Sequence, residues 1–248
     1  GIATGDMGID KEGNQKGTYT PGMDILAKQT IFAEGARGHL GKQLIKEFNL
    51  DEGKTPQHFA IGFKEIWEVD NDKHSPGDVV HSMGWPLKGG TSGGGFLYHF
   101  DNNRIAVGLI VDLNYSNPSH SPFQEFQQFK QHPSIKQYLE SGQRVSYGAR
   151  AITKGGINSL VKMEFDGGMI VGCDAGTLNP SKIKGSHCAL QSGILAAEYI
   201  NKVLSEENCD FDDLFKNSSL YKELYESRNF SAAMHKFGFY LGATYNFI

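Results

Sequence analysis

Met169-Ile170-Val171-Gly172-Cys173-Asp174-Ala175-Gly176, followed after two residues by Asn179-Pro180-Ser181-Lys182-Ile183-Lys184-Gly185-Ser186-His187, sets the frame for the whole chain. The short apolar run at 169–173 reads as a buried strand ending at Gly172-Cys173-Asp174. Glycine and proline then break it into a loop. From about His187 to Leu204 the pattern is helical, with Leu190, Ile194, Leu195, Ala197 and Ile200 expected to face inward. A helix that starts after such a loop presents unpaired N–H groups and a positive dipole end, which suits an anion or an electron-rich heterocycle. Asp174 at the strand end can accept hydrogen bonds from ligand hydroxyls. An ordinary strand-to-helix connection with a long loop fits the same residues, and they leave both readings open.

Working outward, residues 1–35 read as β structure. Thr30-Ile31-Phe32-Ala33-Glu34-Gly35 reads as a strand entering a glycine turn, where backbone passes close to a ligand or simply leads into a helix. Leu40, Leu44, Ile45 and Phe48 have helical spacing. Phe59, Ile61, Phe63, Trp67 and Val69 alternate as a half-buried strand, broken only by Glu65. Val79, His81, Met83 and Trp85 alternate again, and Asp101-Asn102-Asn103 turns a hairpin. Residues 55–113 are therefore expected to form a meandering antiparallel sheet. The Gly89–Gly95 stretch reads either as a hairpin tip or as backbone open to a flat ligand. Ser121-Pro122 opens a helix, with Gln124 completing a capping box and Phe123, Phe126 and Phe129 as its apolar stripe. β and α segments alternating at both ends around an antiparallel centre give an α/β (α+β) class.

Composition narrows the function. The chain has 248 residues, 39% hydrophobic, enough for a real core. A net charge of −4 without a basic block excludes a nucleic-acid binder driven by phosphate contacts. Three scattered cysteines make neither a disulfide framework nor a metal motif, and the nine histidines have no metal spacing, so no metal ligand is expected here. Hydrolase and P-loop motifs are absent, and no catalytic residue stands out. Glycine is the outlier, 31 residues against a usual ~7%, and it marks turns and close backbone approaches. Phe230, Phe237, Phe239, Tyr240 and Leu241 make an aromatic, charge-poor C-terminal stretch, suited to a membrane interface or to packing against further chain. The first residue is not Met and the last lie in an apolar stretch, so the sequence reads as a piece of a longer protein.

Several blocks in order make a more specific signal: Thr30-Ile31-Phe32-Ala33-Glu34-Gly35, Gly84-Trp85-Pro86-Leu87, Gly93-Gly94 with Phe96-Leu97-Tyr98-His99, His132-Pro133-Ser134-Ile135, Tyr147-Gly148-Ala149-Arg150-Ala151 and Lys182-Ile183-Lys184-Gly185. Through them the chain resembles the central portion of the electron-transfer flavoprotein:ubiquinone oxidoreductase family. The resemblance implies a partial FAD-dependent oxidoreductase fold of the glutathione-reductase-like type, with an antiparallel-sheet quinone-binding domain. It implies an FAD-domain part at 1–54, the ubiquinone-binding domain at 55–150, a return to the FAD domain at 151–205 and a helical, membrane-contacting segment at 206–248. It implies an electron-transferring-flavoprotein dehydrogenase that passes electrons from the electron-transfer flavoprotein through a 4Fe-4S cluster and FAD to ubiquinone.

By that resemblance Ala33, Gly35, Asn158, Gly172, Asp174, Gly185, Ser186 and His187 flank FAD. Gly93 and Gly94 offer backbone to ubiquinone, and Phe230, Phe237, Phe239, Tyr240 and Leu241 meet the membrane surface. The family is monotopic, on the matrix side of the mitochondrial inner membrane or the cytoplasmic side of a bacterial one. The family's GxGxxG unit and cluster cysteines are missing from this sequence, and three cysteines cannot supply four thiolates. The fragment alone is thus expected to bind FAD poorly and not to turn over. Two rival readings stand beside it: a geranylgeranyl-reductase-like FAD enzyme, and a non-catalytic module that binds a membrane surface.

Overall fold

The computed structural model describes residues 1–247 except Gly89 and Ile183. The side chains of His235, Phe239, Tyr240, Ala243, Asn246 and Phe247 lie outside the description. Two small antiparallel ribbons come first: β1 (Ile2–Ala3) with β4 (Asp24–Ile25), and β2 (Met7–Ile9) with β3 (Gln15–Thr20). β5 (Thr30–Phe32) then enters a three-stranded sheet. It runs parallel to β12 (Gly168–Ile170), which pairs on its other side with β11 (Glu164–Phe165). Helix α1 (His39–Glu47) follows β5.

The larger sheet has five antiparallel strands: β6 (Phe59–Glu68), β7 (Val79–Met83), β8 (Gly93–Phe100), β9 (Arg104–Asp112) and β10 (Gln143–Thr153), in the order β10-β6-β9-β8-β7. The β8–β9 hairpin turns on Asn102 and Asn103, both at positive φ, a conformation asparagine tolerates. One face of this sheet packs against α2 (Pro122–Lys130) and α3 (Pro133–Leu139), burying Leu97, Ile105, Val107, Leu109 and Val111 with Phe126, Phe129 and Ile135. Ser121 caps α2 as its sequence predicts, its Oγ accepting from Gln124 N at 3.4 Å. Phe126 and Phe129 are buried, while Phe123 on the first turn meets the Phe63 ring of β6 edge-on at 6.1 Å and stays 51% exposed.

Glu65 interrupts the hydrophobic alternation, yet it is almost wholly buried, with Lys130 Nζ at 2.8 Å, Arg144 at 3.2 Å and Trp67 Nε1 donating at 2.9 Å. The charge keeps its place on the inner face because α2 delivers a cation to it. The alternation of β7 marks a strand but not a buried face: Val79 and Met83 are exposed on this edge.

The second core lies under the three-stranded sheet and unites Phe32, Met169, Ile170, Leu160 and Met163 with four helices. These are the one-turn α4 (Gly172–Ala175), α5 (Ser186–Leu204), α6 (Phe211–Lys216) and α7 (Ser219–Glu226). The last helix, α8 (Phe230–Phe247), bends at Gly238 (φ 71°). Two expectations are corrected here. Gly172, Cys173 and Asp174 form a helical turn rather than a strand end, since Gly172 takes φ 64° and Gly176 φ 99°. On α5 the buried residues are Cys188, Ser192, Ala196 and Tyr199; Leu195 and Ile200 pack against the same core as expected, while Leu190, Ile194 and Ala197 are exposed.

The chain crosses between the two cores at 54–58 and again at 153–159, and the crossings are stitched together. Lys154 N donates to His58 O at 2.7 Å and Gly155 N to Gln57 Oε1 at 2.7 Å, while Thr55 Oγ1 and Ser159 Oγ lie 2.8 Å apart.

Candidate functional site

Two cavities meet at α4. On one side, β5 ends at the exposed Ala33 and the backbone turns at Gly35, where φ is 84°. Gly38 precedes α1 and has no side chain to cap it. Glu34 does so from a distance, its Oε2 accepting from Leu40 N at 2.8 Å and Gly41 N at 2.9 Å. Asp174 packs onto the same turn, accepting from Glu34 N at 3.4 Å. A Cβ on Gly38 would sit 2.7 Å from Asp174 Oδ1, and one on Gly41 closer still, so only glycine admits the carboxylate there. Burial pushes the Asp174 carboxyl up, the nearby Glu34 charge adds to this, and the amides of Glu34 and Gly38 oppose it. Beside it lies a cavity of about 300 Å³ bordered by Arg37, Lys42, Phe59, Thr153 and Asp174.

On the other side of α4, a cleft of about 420 Å³ separates the large sheet from the start of α5. Its floor is the sheet face opposite α2 and α3. The register sets four glycines among the ten residues of two adjacent rows on that face. One cross-strand row reads Arg150, Gly62, Ile110, Gly94, Met83, and the next reads Gly148, Lys64, Gly108, Phe96, His81. Glycines so placed leave the Ile110 and Phe96 side chains lying on bare backbone. The roof is Cys173, Leu178, Gly185, Ser186 and Ala189. The N-terminus of α5 thus points positive dipole at an apolar slot, with Lys64 and Arg150 at its border. Burial pushes the Cys173 thiol up, which favours its neutral form.

The loop above the cleft is held from outside. Asn179, 1% exposed, accepts at Oδ1 from Ser181 N, Ser181 Oγ and Lys182 N. Its Nδ2 donates to Glu223 Oε1 on α7 at 2.8 Å. The same oxygen receives His187 Nε2 at 2.8 Å and Lys182 Nζ at 3.1 Å. Burial alone would push the Glu223 carboxyl up; the three donors overcome it and bring it down to about 2.

The structure therefore gathers Gly172, Asp174, Gly185 and Ser186 around α4, with Ala33 and Gly35 on the turn leading to Asp174. His187 turns away from the cleft toward Glu223. Asn158 sits elsewhere, lining a separate groove and donating to Arg228 O at 3.2 Å. Gly93 and Gly94 lie in β8 beside the cleft, Gly94 opposite Ile110. A Cβ on Gly94 would meet Ser82 O at 2.7 Å, so the space around it is already taken by the chain itself. Phe237 and Leu241 are exposed on α8 and Phe230 is half-buried, whereas the side chains of Phe239 and Tyr240 lie outside the described residues. No described helix is long and apolar enough to cross a membrane. Sequence reasoning singled out Phe96 as a possible ligand wall but missed Gly62, Gly108, Ile110 and Arg150. A glycine inside each of two hydrophobic strands was the available signal.

Comparison with known proteins bears on the same region. Residues 59–152, the strands that floor the cleft, match the family described as ETF-QO, ubiquinone-binding. Electron transfer flavoprotein-ubiquinone oxidoreductase from Pseudomonas aeruginosa is 60% identical over 255 residues, covering 100% of this chain and 46% of the relative. Along its whole length the chain is similar to the electron transfer flavoprotein-ubiquinone oxidoreductases. The human mitochondrial electron transfer flavoprotein-ubiquinone oxidoreductase is 48% identical over 258 residues, covering 99% of this chain and 42% of the relative. The chain spans about half the length of the curated relatives it matches. Among solved structures, a geranylgeranyl bacteriochlorophyll reductase-like protein from Thermoplasma acidophilum superposes with a TM-score of 0.66 at 17% identity, over 90% of this chain and 53% of that one. A flavoprotein/dehydrogenase from Cytophaga hutchinsonii gives 0.61 at 16% identity, over 92% and 52%. At such identities the likeness establishes a shared flavoprotein-type fold and leaves the reaction open.

Proposed function

We propose that this chain is the quinone-facing and part of the FAD-facing portion of an electron transfer flavoprotein-ubiquinone oxidoreductase. One observation carries the reading: adjacent residues of α4 face two cavities, Cys173 the glycine-floored cleft and Asp174 the cavity at the start of α1. A ligand with a flat ring and a polar tail fits that arrangement, ring in the cleft and tail past Asp174. FAD has that form, and when bound it supplies the redox chemistry.

The chain's own residues do the rest. Gly62 provides a flat patch of floor, Gly108 seats the Phe96 ring, Phe96 and Ile110 exclude water, and the first amides of α5 with Lys64 and Arg150 favour negative charge in the slot. Asp174 receives hydroxyl groups of the tail. Ubiquinone approaches the cleft beside β8, with Gly93 and Gly94 holding that strand close to its neighbours rather than opening space themselves. The sequence similarity to named oxidoreductases over the full chain supports the same reading. A 4Fe-4S cluster, the electron-transfer flavoprotein as electron donor, and attachment to the mitochondrial or bacterial inner membrane through Phe237, Leu241 and their neighbours complete the proposal.

The test takes a full-length protein that carries this chain, with FAD bound, reduces it with dithionite under argon, removes the excess reductant, and follows flavin reoxidation by decylubiquinone at 450 nm. Gly62→Val should slow quinone-driven reoxidation at least tenfold. Reoxidation no faster than in quinone-free buffer overturns the proposal.

A further inference from the structure

One groove on the far side of the second core has no part in the reading above. It holds about 640 Å³ between the 49–54 loop, the 157–163 segment and helices α6 and α7. One wall is a continuous aromatic ladder. Phe211 stacks on Phe215 (centroids 6.2 Å, 11°), Phe215 meets Tyr221 edge-on (5.5 Å), and Tyr221 stacks on Tyr225 (5.7 Å, 17°). The Arg228 guanidinium closes the ladder 3.9 Å above the Tyr225 ring. Leu160 and Met163, both buried, form part of the apolar floor.

The rim is positive. Lys54, Lys162, Lys216 and Arg228 stand against Glu52 and Asp212, a surplus of two cations in a chain whose net charge is −4. Lys216 reaches Asp212 only at 3.8 Å, and both are largely exposed, a weak pair. Positive charge concentrated against the overall balance, beside stacked rings and an apolar floor, is complementary to a flat organic anion. The volume is that of a small-molecule site.

We infer that this groove is a second binding site, specific for a small aromatic or otherwise flat organic anion, of the size and charge of an aryl carboxylate or a nucleoside phosphate. The body of the ligand lies along the Phe215–Tyr225 ladder and its anionic group meets Lys162 and Arg228. The site is separate from the proposed flavin and quinone cleft. Its occupancy does not depend on that assignment.

Matched probes isolate the two recognition elements. 2-Naphthoate and its neutral analogue 2-naphthamide share one flat body, and their binding is measured by calorimetry at low and at 0.3 M salt. The anion should bind at least fivefold tighter than the amide at low salt, and the advantage should shrink as salt rises. Lys162→Gln with Arg228→Gln should remove the advantage and leave the amide unaffected. Asp212→Asn deletes a rim carboxylate and should tighten the anion two- to fivefold, an outcome that a folding defect cannot mimic. Lys11→Gln, on the distant β2–β3 ribbon, should change nothing. Equal affinity for the two probes overturns the inference. So does wild-type affinity in both the double variant and Asp212→Asn.

Discussion

Glu223 Oε1 and His187 Nε2 lie 2.8 Å apart, joining α7 to the first turn of α5 across the loop that roofs the cleft. Two further donors from that loop, Asn179 and Lys182, converge on the same oxygen. A carboxylate whose folded-state value is depressed stabilises the native state above its unfolded value and stops doing so as pH falls. With an ordinary value of 4.5 and a folded one of about 2, the contribution of Glu223 should vanish between those limits. Amide exchange in residues 177–187 should accelerate as pH drops through that window after correction for intrinsic rates, and Glu223→Gln should lose most of the effect. Glu223→Ala should lower stability by about 1–3 kcal/mol in urea melts, because three donors lose a charged acceptor.

Asp174 runs the other way. Its carboxyl is raised, chiefly by burial, so its favourable contribution is complete below the ordinary value of 3.8 and is lost as pH rises through the folded value. Asp174→Asn should therefore gain stability relative to wild type as pH rises from 4 to 7, read from thermal melts across that range. The same variant should weaken FAD binding, read by flavin fluorescence. A wild-type difference that stays flat with pH contradicts this account.

The ion cluster under the large sheet should respond asymmetrically. Lys130→Met leaves Glu65 buried with Arg144 and Trp67 but without its 2.8 Å partner. Breaking a buried pair from one side costs about 3–5 kcal/mol, and the remaining partners place this case near the lower end. Glu65→Leu combined with Lys130→Met should recover much of that loss. Urea midpoints of the two variants check both statements.

Two glycines of the cleft floor should separate folding from binding. A Cβ on Gly62 would meet only Ile110 Cγ1 at 3.7 Å and Arg150 O at 3.8 Å, ordinary contacts, so Gly62→Ala should leave the melting temperature nearly unchanged while narrowing the slot. A Cβ on Gly108 would come within 2.6 Å of Phe63 O and into the Phe96 ring, so Gly108→Ala should destabilise by about 1–3 kcal/mol. Melting curves and quinone reoxidation rates for the pair give the readout.

Much of this architecture could be read from residue order. The hairpin at 101–103, the cap at Ser121 and the meander of 59–112 follow from local chemistry that tertiary packing had no reason to override. The misreadings have one cause, which is that periodicity reports apolarity and not the position of the partner. Leu190 and Ile194 have the spacing of an inward stripe, but the packed face of α5 is the small-residue one of Cys188, Ser192 and Ala196. Glu65 looked like an interruption because its cation comes from a helix 65 residues away in sequence. Of the candidate site, the loop-to-helix context of Gly185 and Ser186 was legible, whereas the strand end read at Asp174 is a helical turn. The glycine floor was not legible, since it exists only once β6, β9 and β10 are in register. Asn158, a polar candidate beside the flavin by resemblance, is carried by the turn at 156–159 to the lining of a separate groove.

The paired crossings at 54–58 and 153–159 have a mechanical consequence. Two separate tethers would let one lobe swivel on the other. Cross-linked through Gln57, Thr55 and Ser159, they behave as one flat strap, stiff to torsion and compliant only to bending. Any opening of the cleft should then follow bending of this strap, its walls moving like the covers of a book. Spin labels at His81 and Glu198 should report one narrow distance distribution. Gln57→Ala should broaden it, as the spine loosens and the covers begin to slew.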